Sequence, residues 1–164
     1  MEKKIIKLKT SDNELIEVSN TLLTKSKLLN GLIDEDEEYN TIFLININNK
    51  AILENVIKYL EHFKDFEPKE IPKPFPEMAD DQFFRSILDD DWTFDFLNQM
   101  KLEEAIETLN AANYLQIEGL ISLLAAKLGY ELTNCSVEEA KKKFQIEDDM
   151  TDEEKAEYDK YPLD

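Results

Sequence analysis

Glycine, cysteine and histidine are scarce in this sequence: its 164 residues include three Gly, one Cys and one His. So few glycines argue against phosphate-binding loops and against a turn-rich all-β fold, because both use the backbone freedom of glycine. The lone Cys135 supplies neither a disulfide framework nor a zinc-binding set, which suits a reducing compartment. We therefore expect a mostly helical protein of the cytoplasm and nucleus.

Basic residues are also few: 19 Lys and Arg stand against 37 Asp and Glu, for a net charge of -18 at pH 7. A chain this acidic repels nucleic acid and anionic membrane surfaces. No apolar run approaches the roughly 18–20 residues that a membrane span needs, and the apolar N-terminal stretch is too short for a signal peptide. We expect no nucleic-acid partner and no membrane partner.

Catalytic and metal-binding patterns are missing from the sequence as well. His62 has no cysteine near it in sequence, and no Ser or Thr has the spacing of a nucleophile elbow. The acidic runs 34–38 and 147–154 lack the alternating ligands and central glycine of a calcium-binding EF-hand loop. The sequence therefore predicts a protein that is not an enzyme and that binds no metal and no cofactor.

Apolar periodicity predicts the order β-β-α-β-α in about the first 63 residues. Strand-like runs at 5–8 and 15–18 flank a turn-forming Ser-Asp-Asn, which predicts a hairpin. A helical period at 22–33, a strand at 42–45 and a helix at 52–60 follow, the last capped by an Asn at 48 or 49. A small sheet covered by helices is the packing that this order favours.

A proline-rich segment then interrupts the pattern, with four of the five prolines inside nine residues. Such a segment excludes a helix and predicts a stiff linker. The apolar residues in and after it either dock on the chain's own surface or contact a partner: Ile71, Phe75, Phe83, Phe84, Ile87 and Leu88. Asp91 is expected to cap a short helix beyond it. We place the boundaries at 1–66, a linker at 67–91 and a helical part at 92–164.

Two helical patterns meet at Asn110–Gly119, N-A-A-N-Y-L-Q-I-E-G, and the step between them is too short for the helices to separate. A helix packed on one layer needs an apolar stripe a little over ~100° wide. In the helix at 117–132 the apolar arc covers about half of the circumference and is formed by Leu120, Ile121, Leu124, Ala125, Leu128 and Leu132. Either the chain's own C-terminal helices or another protein must cover the excess. Capping boxes at Ser136–Glu139 and Thr151–Glu154 predict two such C-terminal helices.

The stretch A-A-N-Y-L-Q-I-E-G-L resembles the signature of the S-phase kinase-associated protein 1 family, the adaptors that join F-box proteins to a cullin in SCF ubiquitin ligases. The motifs I-K-L-K-T-S-D-N-E-L-I-E-V, D-W-T-F-D-F-L and V-E-E-A-K-K-K-F-Q-I-E-D-D-M-T-D-E-E follow the family's order. The resemblance implies an α+β, mostly helical BTB/POZ fold with a C-terminal helical extension that binds F-box proteins.

The same resemblance implies two binding sites. Asn113 and Tyr114 match the family's cullin-binding pair, and a tyrosine with a polar tip suits a partly hydrated interface. The F-box-binding wall matches Ile106, Ile121, Ala125, Leu128, Leu132 and Phe144. An exposed wall of this kind also favours a homodimer when no partner is present.

The sequence departs from the family pattern in four places. N-Q-M-K-L-E stands where the family has V-D-Q-G-T-L, Val137 stands where it has proline, and the linker is longer and richer in Phe. The tail D-K-Y-P-L-D lacks the family's Asn-Gln-Trp ending, which normally clasps the F-box protein. Two alternatives to the adaptor therefore stay open: a partner of F-box proteins outside cullin complexes, and a self-associating BTB scaffold.

Overall fold

A computed structural model describes residues 4–32, 42–73, 80–133, 135–147, 151–158 and 160. Over these residues the chain forms three strands and nine helices, so the prediction of a mostly helical α+β fold is confirmed. In chain order they are β1 (Ile5–Lys9), β2 (Leu15–Ser19), α1 (Asn20–Leu23), α2 (Lys27–Leu32), β3 (Ile42–Leu44), α3 (Lys50–His62), α4 (Asp81–Ile87), α5 (Asp91–Gln99), α6 (Leu102–Tyr114), α7 (Glu118–Leu132), α8 (Val137–Lys143) and α9 (Asp152–Tyr158).

The three strands form one sheet in the order β2-β1-β3. β1 pairs antiparallel with β2, as the predicted hairpin requires, and Asn13 takes a left-handed φ of 68° in the turn. β1 pairs parallel with β3, with Leu8 opposite Phe43. Successive strand residues face opposite sides, so Ile6, Leu8 and Val18 are buried on one face.

The single helix predicted over 22–33 is wrong: the structure has two short helices, α1 and α2, separated at Thr24–Ser26. The buried hydroxyl of Ser26 accepts a hydrogen bond from the N–H of Leu29 at 3.1 Å. Serine at this position competes with helix continuation because its side chain bonds nearby backbone groups. The apolar period alone does not reveal such a break, and Ile33 lies outside the described residues.

The long helix α3 is the central support of the sheet and of α6. Asn49, one of the two predicted caps, accepts a hydrogen bond from the N–H of Ala51 at 2.9 Å. Four of the five residues of the predicted apolar face are buried and Ile57 is half-buried. The burial extends to a tyrosine, so the buried residues are Ile52, Leu53, Val56, Tyr59 and Leu60. This face packs against α6, so that α3 fixes the position of the helix pair α6–α7.

Part of the predicted linker packs on the chain's own surface. Ile71, Phe84 and Leu88 are buried, and the ring of Phe84 stacks on that of Tyr130 in α7 with centroids 4.4 Å apart. The guanidinium of Arg85 lies 3.5 Å from the centre of the Phe94 ring, a cation–π contact with α5. These contacts favour docking over partner binding for this segment, whereas Phe75 lies outside the described residues.

The predicted cap of α5 is off by one residue, because Asp90 and not Asp91 caps it. The carboxylate of Asp90 accepts hydrogen bonds from the N–H and the hydroxyl of Thr93, both at 2.8 Å. Burial alone raises the pKa of Asp90, but the bonds from Thr93 and the proximity of His62 outweigh it and lower that pKa below its usual value. Asp91 instead lies in the first turn and forms an ion pair with Arg85.

The chain divides into two compact units, Met1–Thr133 and Asn134–Asp164. In the second unit both predicted capping boxes are confirmed: the N–H of Ser136 donates to Glu139 at 2.9 Å, and that of Thr151 donates to Glu154 at 2.8 Å. The boundaries at 66 and 91 stay a prediction. Among the described helices, none is long and apolar enough to cross a membrane.

Candidate binding surfaces

The Asn110–Gly119 stretch forms a tight corner between α6 and α7. After α6 ends, Gln116 takes a left-handed φ of 56°. The N–H of Gln116 then donates to the carbonyl of Asn113 at 3.1 Å, and the N–H of Ile117 donates to that of Ala112 at 3.0 Å. These two bonds make a Schellman motif, which satisfies carbonyls that the end of a helix leaves unpaired. The corner therefore has one defined geometry.

A buried serine ties this corner to the first half of the chain. The hydroxyl of Ser26, which is fully buried, donates to the carbonyl of Leu115 at 2.6 Å while it accepts from Leu29. Residues 89 positions apart in sequence are thereby joined at the end of α6. The sequence pattern shows Ser26 only as one position of a helical period, so sequence analysis missed this role.

A Ser26→Ala substitution is expected to destabilise the protein by about 1–3 kcal/mol, because it leaves a buried carbonyl and a buried N–H without a partner. Urea unfolding followed by circular dichroism measures the difference. Ser86→Ala is the matched control, since Ser86 is exposed and its hydroxyl donates to the carbonyl of Phe83 in its own helix at 2.7 Å. Equal stability of the two variants would contradict the structural role of Ser26.

The predicted cullin-binding pair lies at this corner and faces solvent. Asn113 is exposed, and Tyr114 in the last turn of α6 remains 39% exposed. The hydroxyl of Tyr114 accepts a long hydrogen bond of 3.4 Å from the N–H of Asn46, which follows β3. Both predicted side chains are therefore together and accessible, with the tyrosine ring held by one bond at its tip.

A pocket of about 310 Å³ with a mixed polar and apolar lining adjoins Tyr114. Its walls are the loop between β3 and α3, the start of α3 and one face of α6. The lining residues are Asn46, Ile47, Asn48, Asn49, Ile52, Glu107, Asn110, Ala111 and Tyr114. The sequence alone does not reveal this pocket. The asparagine-rich run 46–49 is the available signal, but by itself it indicates only a helix cap.

The helix α7 has two different faces. Its core side contains Leu120, Leu123 and Leu124, all buried, together with Lys127, which is 4% exposed and pairs with Glu131 at 3.2 Å. The predicted wall positions lie on the other side at helical spacing: Ile121 and Leu128 are half-buried, Ala125 is exposed and Leu132 is 44% exposed. The core of the first unit thus fully covers one side of the apolar arc and covers the other side only in part.

The two remaining wall positions lie on other helices. Ile106 is half-buried on α6. Phe144 belongs to the second unit, where it is half-buried at the end of α8 and its N–H donates to the carbonyl of Ala140 at 2.9 Å. Val137 and Ile146 of this unit are large exposed apolar residues, at 73% and 58%. The membership of all six residues in one F-box-binding wall stays a prediction.

His62 and Cys135 are among the side chains that could take part in catalysis or bind a metal. The ring of His62 stacks on Trp92 with centroids 3.8 Å apart and bonds a carboxylate oxygen of Asp90 at 2.9 Å. Cys135, the one cysteine of the sequence, is half-buried. Among the described residues no group of three or more His, Cys, Asp or Glu is placed to hold a metal ion. The geometry of the described surfaces suits protein binding.

Comparison with known sequences identifies the family. The family model described as Skp1 family, tetramerisation domain, matches residues 4–65. An S-phase kinase-associated protein 1 homolog from Tetrahymena thermophila is 34% identical over 151 residues, which cover 92% of this chain and 87% of that protein. The chain belongs to the S-phase kinase-associated protein 1 family.

Plant members of the S-phase kinase-associated protein 1 family align over a similar length. SKP1-like protein 1 from Oryza sativa subsp. japonica is 32% identical over 162 residues, or 95% of this chain and 91% of that protein. SKP1-like protein 4 from Arabidopsis thaliana is 30% identical over 158 residues, which cover 94% of this chain and 91% of that protein. Membership confirms the resemblance and the BTB/POZ fold, and it implies in general an adaptor role in SCF-type ubiquitin ligase complexes, because the family is one of adaptors rather than catalytic enzymes.

Proposed function

We propose that this protein bridges a cullin to F-box substrate receptors in the cytoplasm and nucleus. The cullin binds at the corner of α6 and α7, around Asn113 and Tyr114. The F-box protein contacts six residues: Ile106, Ile121, Ala125, Leu128 and Leu132 of the first unit, and Phe144 of the second. The protein contributes no chemistry of its own, and it acts by holding the substrate receptor and the ubiquitin-transfer machinery in one complex.

The observation that carries the proposal is the outer stripe of α7. An apolar stripe that the core of its own unit covers only in part is typical of a surface that receives another helix. Here the stripe runs from Ile121 through Ala125 to Leu132, over three turns of the helix. A short helical motif such as an F-box supplies the complementary apolar face.

The cullin site is supported by its different chemistry. Tyrosine and asparagine give an amphipathic, partly hydrated contact, which is common in interfaces that form between separately folded proteins. The Schellman motif and the Ser26 bond fix the backbone beneath Tyr114, so little conformational entropy is lost when a partner binds. The two surfaces therefore differ in polarity, and different partners suit them.

The direct test is binding of cullin by an Asn113→Lys/Tyr114→Lys double variant. We expect the wild type to capture cullin and the double variant to lose it by about 30-fold or more in Kd, because the centre of an interface tolerates such changes poorly. Both forms should retain F-box proteins. Capture of F-box proteins without cullin by the wild type would instead favour a role outside cullin complexes.

A further inference from the structure

The pocket beside Tyr114 has an unusual lining for a protein this acidic, because amides outnumber charges. Its α6 wall consists of Glu107, Asn110, Ala111 and Tyr114, which share one face of the helix at spacings of three and four residues. Its opposite wall is the run of asparagines after β3. Tyr114 thus belongs both to the proposed cullin site and to the pocket.

The lining carries one sign of charge. Among the residues that line the pocket, Glu107 is the only ionisable carboxylate, and it is exposed. Asn48 and Asn110 add exposed amide groups, whose oxygens accept hydrogen bonds. The nearest basic neighbour in sequence, Lys50, pairs with Glu14 at 3.6 Å and is not part of the lining. The pocket therefore favours a cation with several donors.

The floor of the pocket is apolar. Ile47 and Ile52 are buried core residues, and Ala111 is buried beside them. A polar rim over an apolar floor matches a long basic side chain, since such a side chain packs its methylene stem on apolar surface and keeps its charged end among polar groups. A guanidinium presents five N–H donors in one plane, so it can bond a carboxylate and neighbouring amide oxygens together.

We infer that this pocket receives a basic side chain, arginine by preference, from the cullin that the proposed function places on Asn113 and Tyr114. The inference rests on that proposed function and extends it from two residues to a charged contact. Glu107 is the positioning charge, and the amides of Asn48 and Asn110 complete the bonding set. A basic patch on the partner is then also drawn to the chain by its net charge of -18.

Glu107→Gln tests the inference in the whole 164-residue chain. The substitution keeps the shape of the side chain and removes its charge, so we expect the Kd for full-length cullin, measured by calorimetry, to rise about tenfold. The affinity of the variant should also depend less on salt. Glu54→Gln is the matched control: Glu54 is an exposed carboxylate on α3 that does not line the pocket, and its removal should leave the Kd unchanged.

The outcomes separate the inference from the function beneath it. Loss of affinity in Glu107→Gln but not in Glu54→Gln supports the pocket contact. Wild-type affinity in Glu107→Gln, together with lost binding in the Asn113→Lys/Tyr114→Lys variant, overturns the pocket contact and leaves the cullin site standing. If Glu107→Gln and Glu54→Gln lose affinity for cullin equally, the effect comes from the net negative charge of the chain. This outcome also overturns the pocket contact. No binding of cullin by the wild type overturns both.

Discussion

An Ala125→Glu variant is expected to bind an F-box protein about 30- to 1,000-fold more weakly than the wild type. Ala125 is exposed and lies between Ile121 and Leu128 on the outer stripe of α7. In the proposed complex the new carboxylate would be buried against an apolar helix without a partner, which costs about 2–4 kcal/mol at the centre of an interface. Surface plasmon resonance against an immobilised F-box protein measures the change.

The position makes this variant easy to interpret. Because the side chain of Ala125 points away from the buried face of α7, and glutamate is a good helix former, the melting temperature should stay close to that of the wild type. Asn98→Glu is the control, since it adds the same charge at an exposed position of α5. If Ala125→Glu bound as tightly as Asn98→Glu, the F-box protein would not use this stripe.

A Gly119→Ala variant is expected to be less stable than the wild type by about 1–3 kcal/mol, the usual cost of overpacking. A Cβ at Gly119 would lie 2.8 Å from Cγ of Pro68 and would collide with the hydroxyl of Tyr59. Neither group can yield easily, because Tyr59 is 2% exposed and Pro68 is a rigid ring. Glycine is therefore required where the first turn of α7 lies against Tyr59 of α3, in the family's signature stretch.

Two further variants check the cause of this loss. Gly31→Ala is expected to raise the free energy of unfolding by about 0.5–1 kcal/mol. A Cβ at this position has no described atom within 4 Å, and alanine favours the helix more than glycine does. Tyr59→Phe, combined with Gly119→Ala, removes the hydroxyl that the new Cβ meets. In chemical denaturation, the double variant should be more stable by about 0.5 kcal/mol or more than the sum of the two single effects predicts. A purely additive result would contradict the collision.

Local signals predicted the elements that depend on local chemistry. The hairpin, the Asn49 cap and the boxes at Ser136 and Thr151 all use side chains that bond backbone groups a few residues away, so sequence spacing suffices to find them. The width of the apolar arc of α7 predicts a second covering layer, and in the structure Leu132 on its outer stripe remains 44% exposed.

Long-range contacts are what the sequence could not reveal. Periodicity does not show that Ser26 bonds Leu115 or that α1 and α2 are separate. Periodicity also does not predict that Lys127 of α7 is buried, because lysine is seldom buried without a partner. In the structure Lys127 is buried and pairs with Glu131. The pocket at Glu107 was missed for the same reason, since its two walls are about 60 residues apart in sequence and only the fold brings them together.

The measurement that tests the bridging claim most directly is the mass, by light scattering after size exclusion, of the full chain mixed with full-length cullin and an F-box protein. We expect one complex that contains one copy of each, and separate losses of cullin from Asn113→Lys/Tyr114→Lys and of the F-box protein from Ala125→Glu. Binary complexes in which cullin and F-box protein displace each other, or a homodimer that persists with both present, would contradict the account.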